Sequence, residues 1–168
     1  MTVITKTRKV FLDARRCLAC KACELACAVQ HSQTQQLAGA IAESPRPRKR
    51  VLMRPLPGGR AIALRCLHCE EAPCVDACMS GGLRCNPETG VVEHDSDRCV
   101  GCWMCVMVCP FSAMIPNQEI KLAQKCDLCE GAQQQACVVA CPTRALFVGT
   151  AQEFHRQLED SPLSEELP

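Results

Sequence analysis

The chain has 168 residues, 17 of them cysteine, a formal charge of +1, and an aromatic content of 3% with one tryptophan and no tyrosine. So few aromatic side chains are a thin supply for a hydrophobic core, and bound metal is expected to contribute much of the folding free energy. The odd cysteine count, and an N-terminus from Met1 to Val10 without an apolar signal-peptide core, argue against a disulfide framework, and no apolar run of about 18 residues exists to span a membrane. The expectation is a cytoplasmic protein whose thiols bind metal.

In chain order, Lys9–Asp13 reads as a short strand. It leads into a first cysteine run, Cys17, Cys20, Cys23 and Cys27. The helix beginning near Lys21 is expected to continue through Val29, because Ala28 stands where a proline would stop it. Residues 31–65 contain no cysteine. They hold a basic, proline-containing loop, Ser44–Arg50, and a hairpin made of Val51–Met53 and Ala61–Leu64 around Pro57, Gly58 and Gly59. The second run is Cys66, Cys69, Cys74 and Cys78, its third member displaced by a small loop at Pro73. Two short strands between Leu83 and Glu93 turn at Gly90. The third run, Cys99, Cys102, Cys105 and Cys109, is followed by Pro110, and the fourth, Cys126, Cys129, Cys137 and Cys141, by Pro142. Ala145–Val148 reads as a closing strand. A capping box, Thr150 with Glu153, then opens a short helix with Phe154 and Leu158 on one face. Residues 161–168 are acidic and expected to fray.

Three cysteines at intervals of three, then a fourth after four, is the spacing of bacterial ferredoxins. The first three thiolates reach different irons of one cube. The fourth, a helical turn further on, points toward a second cube, so paired runs exchange their fourth cysteines. Four runs supply sixteen thiolates, enough for four [4Fe–4S] clusters. The exchange rule admits a nested pairing: Cys17, Cys20 and Cys23 with Cys141; Cys66, Cys69 and Cys74 with Cys109; Cys99, Cys102 and Cys105 with Cys78; Cys126, Cys129 and Cys137 with Cys27. It also admits a sequential one, first run with second and third with fourth. Loop length decides little, since a doubled loop costs only about 0.6 kcal/mol. The short hairpin between Cys78 and Cys99 favours the nested pairing, because it brings two ferredoxin halves face to face.

The fold class expected is α+β: two nested ferredoxin-like units, each of the bacterial two-[4Fe–4S] type, with short helices and hairpins organised by the clusters. Residues 1–30 and 119–150 are read as the halves of an outer unit, 31–59 as a basic connecting segment, 60–118 as an inner unit, and 151–168 as a C-terminal helix and tail. Cys85, left over and alternating with Leu83, is expected to be a small buried hydrophobe. Structural zinc sites join cysteine pairs separated by a dozen or more residues, a pattern these runs do not follow.

The stretches Cys23–Ser32, Cys102–Phe111 and Lys125–Cys129 resemble the electron-transfer subunits of the dimethyl-sulfoxide-reductase type. The resemblance covers residues from about 9 to 150. It is strongest to the small four-cluster polyferredoxins that accompany carbon monoxide dehydrogenase, hydrogenase, formate dehydrogenase and tungsten aldehyde oxidoreductase. It implies an electron relay between a catalytic subunit, a tungsten, molybdenum or nickel enzyme, and a flavin subunit or soluble ferredoxin, with no catalytic residue of its own. A tungsten aldehyde oxidoreductase is the first choice of partner and carbon monoxide dehydrogenase the next. Some relatives carry tryptophan at a third-run ligand and hold a three-iron cluster there; Cys102 occupies that place here. Ala28 and Met79 replace the prolines that follow the fourth cysteine elsewhere, which puts the amide hydrogen bonds to Cys27 and Cys78 at issue.

Four clusters with their thiolates would bring the formal charge to about −7. Arg16, Lys21, Arg65, Arg98 and Lys125, beside ligands in sequence, are candidates to offset it. Arg46, Arg48, Lys49 and Arg50 are read as a solvated or partner-docking loop, since no aromatic or nucleic-acid motif accompanies them. His68 is expected to meet a sulfur or solvent, and His31 shows no partner. A free diffusible carrier and an iron–sulfur sensor are the competing functions. A sensor needs an effector module for which no stretch outside the runs is long enough, and the 30–65 loop and C-terminal helix are more than a carrier requires.

Overall fold

The structure, a computed structural model, describes residues 7–160, and the fraying expected of residues 161–168 lies outside the described residues. Its strands form four separate two-stranded antiparallel ribbons. The ribbons are β1 (Lys9–Leu12) with β8 (Leu146–Gly149), β2 (Leu52–Pro55) with β3 (Ala61–Leu64), β4 (Leu83–Cys85) with β5 (Val92–His94), and β6 (Ile115–Asn117) with β7 (Leu122–Gln124). The helices are short: α1 (Ala22–Gln30), α2 (Leu37–Ala42), α3 (Pro73–Asp76), α4 (Met104–Val108), α5 (Ala136–Val139) and α6 (Ala151–Glu159). This is a small α+β fold in which a two-stranded ribbon, too weak to stand alone, leans on cysteine-bearing loops.

Burial follows two centres. One gathers Val10, Cys23, Cys27, Val51, Met53, Ala61, Cys137 and Leu146; the other gathers Ala72, Cys74, Leu83, Val92, Cys105, Met114 and Ala123. The first draws on both ends of the chain, since β1 pairs with β8 in the register Val10↔Val148 and Phe11↔Phe147, and α1 packs on α5. The second draws on the middle, where α3 packs on α4. The ribbon β2–β3 belongs to the first centre. It carries the chain from the first run to the second through packed structure, with position 60 lying inside the hairpin.

Each anticipated element is present, with shifts of a residue or two. The β2–β3 hairpin turns through Pro57–Gly59, and Lys21 precedes α1 with a left-handed φ of 63°. Other elements were not anticipated: Pro73, read as part of a small loop, opens α3, the fourth run carries α5, and α2 and the β6–β7 ribbon are new. α2 lies within 31–59, its approach closed by Glu43, which accepts from the Gln33 and Thr34 amides. β6–β7 turns on Asn117, whose side-chain oxygen accepts from the Glu119 and Ile120 amides, a local Asx-type turn. Cys85 requires a correction: it is exposed. Its ribbon has two strands only, and Cys85 ends β4 beyond the buried Leu83, so nothing lies over it.

α6 closes the first centre from outside. The Thr150 hydroxyl accepts from the Glu153 amide at 3.3 Å and the Glu153 carboxylate accepts from the Thr150 amide at 2.8 Å. Phe154 stacks on Phe11 at 4.9 Å and lies 6.1 Å from Phe147, the cross-strand pair of β1 and β8. Three of the chain's four phenylalanines are spent on this contact. Thr150→Ala should cost about 1 kcal/mol, a roughly fivefold rise in amide exchange confined to α6. Hydrogen exchange of the metal-loaded protein measures it, and equal acceleration at α1 and α5 would contradict a locally docked helix.

Candidate metal–sulfur centres

In each run the residue just before the second cysteine takes a left-handed backbone: Ala19 (φ 52°), His68 (47°), Gly101 (66°) and Leu128 (59°). For a side-chain-bearing residue this conformation costs on the order of 1 kcal/mol. It persists at three such positions because the turn folds the loop back and aims successive amides inward, the concavity that suits anionic sulfur. Glycine is required at position 101, where a Cβ would stand 2.4 Å from the Lys121 carbonyl in the β6–β7 turn. One local conformation thus recurs in all four runs despite different residues and loop lengths.

The runs meet in four groups. Cys23 neighbours Cys17 and Cys141, and one small cavity is lined by Cys17, Cys20, Cys23 and Cys141. Cys74 neighbours Cys66, Cys109 and Cys69. Cys105 neighbours Cys99, Cys102 and Cys78, and these four line a second cavity. Cys137 neighbours Cys126, Cys129 and Cys27, and on its other side Cys23. Among the described residues none of these groups converges tightly enough for a single ion; the thiols stand around shared spaces.

Burial pushes the thiols of Cys23, Cys74 and Cys126 up to about 11 and Cys137 to about 12. Neighbouring thiols add to the rise at Cys23, Cys74 and Cys137, and at Cys126 through Cys27. Metal must therefore displace protons that these sites hold at neutral pH. At Cys78 and Cys141 the balance reverses. Burial is outweighed at Cys78 by the Ser80 hydroxyl and the amides of Leu83, Gly82 and Ser80, and at Cys141 by the amides of Leu146, Ala145 and Thr143 with the Thr143 hydroxyl.

Of the basic residues flanking ligands, Arg65 (6% exposed) and Lys125 (2%) are buried, whereas Lys21 and Arg98 are exposed. Each buried cation donates to the carbonyl of the next residue, Arg65 to Cys66 at 3.3 Å and Lys125 to Cys126 at 3.0 Å. Neither is ion-paired with a carboxylate among the described residues, and the Arg65 Nε has no partner. Arg65 instead faces Cys126, Cys137 and Cys66. A buried, uncompensated cation is costly, and anionic thiolate-bound clusters held by these cysteines would supply the missing charge. The residues present fit the cofactor.

His68 is fully buried; the Val92 amide donates to its Nδ1 at 3.1 Å and its Nε2 has no partner. It meets neither sulfur nor solvent, contrary to expectation. Burial, reinforced by Lys125, Arg65 and Lys9, pushes it down to about 3, so it is neutral. His31 has partners that its sequence neighbourhood did not reveal. Its Nε2 meets Asp127 at 3.0 Å and its Nδ1 the Cys27 carbonyl at 2.7 Å. Two acceptors favour the imidazolium; burial is overcome and the ring is raised to about 9. The basic stretch is likewise not a free loop. Arg48 bonds the Pro116 carbonyl and pairs with Glu119, Lys49 pairs with the buried Glu24, and Arg50 pairs with Asp127.

Left-handed loops, grouped thiols and buried cations together define an iron–sulfur protein of the ferredoxin type. Residues 60–151 match the family model described as a 4Fe-4S dicluster domain. The chain is 37% identical over 155 residues to an iron-sulfur protein of Rhodospirillum rubrum, covering 82% of this chain and 79% of that one. It is 36% identical to the electron transport protein HydN of Escherichia coli K12, covering 83% and 86%. It is 33% identical to the thiosulfate reductase electron transfer subunit PhsB of Salmonella typhi, covering 94% and 83%. The chain belongs to this family of iron–sulfur electron-transfer proteins with a 4Fe-4S dicluster domain, and its cofactors are [4Fe–4S] clusters, with cysteines enough for four. Among the described residues no helix is long and apolar enough to cross a membrane.

Cys85 stands outside all four groups. Cys85→Ala should leave the iron content unchanged, and in the intact holoprotein Cys85 should be the thiol that reacts with a maleimide, as read by peptide mass spectrometry. Loss of a whole cluster in this variant would show that the groups are misdrawn.

Proposed function

We propose that the chain is the electron-transfer subunit of a larger oxidoreductase, of the dimethyl-sulfoxide-reductase type, working in the cytoplasm with no catalytic site of its own. The observation that carries the reading is the recurrence of one left-handed cysteine loop in all four runs. The clusters, when bound, supply reversible one-electron storage. The first choice of catalytic partner is a tungsten aldehyde oxidoreductase, with the carbon monoxide dehydrogenase, hydrogenase and formate dehydrogenase types behind it. The electron transfer subunit of thiosulfate reductase and the iron-sulfur subunit of formate dehydrogenase among its relatives support a partner of oxidoreductase kind.

The ligand sets proposed are the nested ones: Cys17, Cys20, Cys23, Cys141; Cys66, Cys69, Cys74, Cys109; Cys99, Cys102, Cys105, Cys78; and Cys126, Cys129, Cys137, Cys27. The neighbour relations support these sets, as does the pairing of β1 with β8 that joins the chain's two ends. They also support a path. Cys23 and Cys137 adjoin, and Arg65 lies between Cys137 and Cys66. Cys74 and Cys105 share a core. Cys20 and Cys102 at the two extremes are exposed, flanked by Leu18 at 72% and Val100 at 67% exposure. Those two ends are the ports for a catalytic subunit and for a flavin or ferredoxin partner.

The native protein should carry about sixteen irons and sixteen sulfides per chain and co-elute with a tungsten-, molybdenum- or nickel-containing enzyme. Elution alone from its own host would end the subunit reading, and a colourless zinc-loaded fold would end the iron–sulfur one. The ligand sets have their own test. Cys69→Ala and Cys109→Ala should each leave about twelve irons, and the double variant should also leave about twelve. About eight in the double variant would mean the two cysteines serve different clusters, as sequential pairing requires.

A further inference from the structure

Three of the four cysteines that close a run obtain a hydrogen-bond donor at sulfur from their own turn. After Cys78, Cys109 and Cys141 the chain reverses through a left-handed residue three positions on: Gly81 (φ 66°), Ser112 (49°) and Arg144 (53°). The amide of each of those residues donates to the carbonyl of the cysteine. The amide one further along then reaches the sulfur, from Ala113 to Cys109 at 3.4 Å and from Ala145 to Cys141 at 3.2 Å, with Gly82 serving Cys78. A hydroxyl two residues on lies 3.7 Å from Cys78 and from Cys141.

Cys27 has no such turn, because α1 runs on to Gln30 and commits the following amides to the helix, His31 donating to the Cys27 carbonyl. Its amide donor comes instead from 23 residues away: the Arg50 amide stands 3.2 Å from the Cys27 sulfur, with the His31 Nδ1 beside it at 3.7 Å. Arg50 is held there on both sides. Its guanidinium pairs with Asp127, which also takes the His31 imidazole, and Lys49 beside it pairs with Glu24. Glu24 in turn accepts the Met53 amide at 2.7 Å, and Arg48 fastens to the Pro116 carbonyl. Residues 48–53 thus form a tied strap laid over one sulfur.

We propose that Arg50 is a positioning residue for the cluster held by Cys126, Cys129, Cys137 and Cys27: its amide, fixed by the strap, replaces the missing turn and sets that cluster's reduction potential. The inference rests on Cys27 being a ligand. An amide donated to a thiolate favours the more negative, reduced state, so removing it lowers the potential. The strap also reaches Pro116 on β6.

Among the described residues the amide–sulfur hydrogen bonds of 3.2 to 3.4 Å come from Arg50, Ala113 and Ala145, so arginine serves Cys27. Holoprotein made with arginine carrying nitrogen-15 only at its α-nitrogen should therefore show nitrogen-15 coupling at one reduced cluster in pulsed electron paramagnetic resonance. In Arg50→Lys the coupling should vanish while that cluster keeps its potential. In Arg50→Pro, redox titration should show one potential lowered and three unmoved, with iron retained. Labelled wild-type protein with full iron and no coupling at any reduced cluster overturns the proposal. So does Arg50→Pro with full iron and all four potentials unchanged. If Arg50→Pro fails to load, the labelling result alone decides. Cys27→Ala that keeps every cluster would instead remove the ligand assignment beneath the proposal.

Discussion

Bringing four thiolates to one place sets like charges against each other in a half-buried site, and that repulsion is the constraint around which this fold is arranged. Burial first, and neighbouring thiols after it, push Cys23, Cys74, Cys126 and Cys137 upward. Three devices answer it: metal, amides aimed at sulfur by left-handed turns, and two cations sealed in the interior. Arg65 and Lys125 would be a liability in an ordinary core, since neither has a carboxylate partner among the described residues. Next to anionic clusters their charge offsets the burial cost.

The same constraint explains how little conventional core the chain has. Its largest fully buried side chains are His68, Val10 and Val92, and its ribbons have two strands each. Aromatic stacking is kept for a peripheral task, seating α6 on β1 and β8 through Phe11, Phe147 and Phe154. Coordination and sulfur hydrogen bonds take the place that packing fills in a protein of this length without metal.

The basic stretch read as a solvated or partner-docking loop is tied down. Four basic residues in a proline-containing stretch suggest a solvated face by composition, yet Arg48, Lys49 and Arg50 each meet a partner far away in sequence. The strap also compensates for an irregularity readable in the chain. Ala28, in place of proline, lets α1 continue, and that continuation withdraws the amides Cys27 would otherwise use. At Cys78 the same substitution, Met79, has a different outcome, because Gly81 still supplies the turn.

The sequence by itself determined the cofactor class, the sixteen candidate ligands, the principal hairpins and helices, and the capping box of α6. Each of these is encoded by residue types at fixed short spacings, and thiolate spacing in particular must match the dimensions of a cube of iron and sulfur. It also flagged Ala28 and Met79 as departures. Only the tertiary structure decided what stands across from each group: that Arg50 serves Cys27, that His31 meets Asp127, that Arg65 lies between Cys66 and Cys137, and that Cys85 faces outward. Such contacts join residues tens of positions apart through chain reversals, so no local periodicity records them. The two-stranded ribbons add to this blindness, since alternation along β4 marks one face as buried while the missing third strand leaves its end bare.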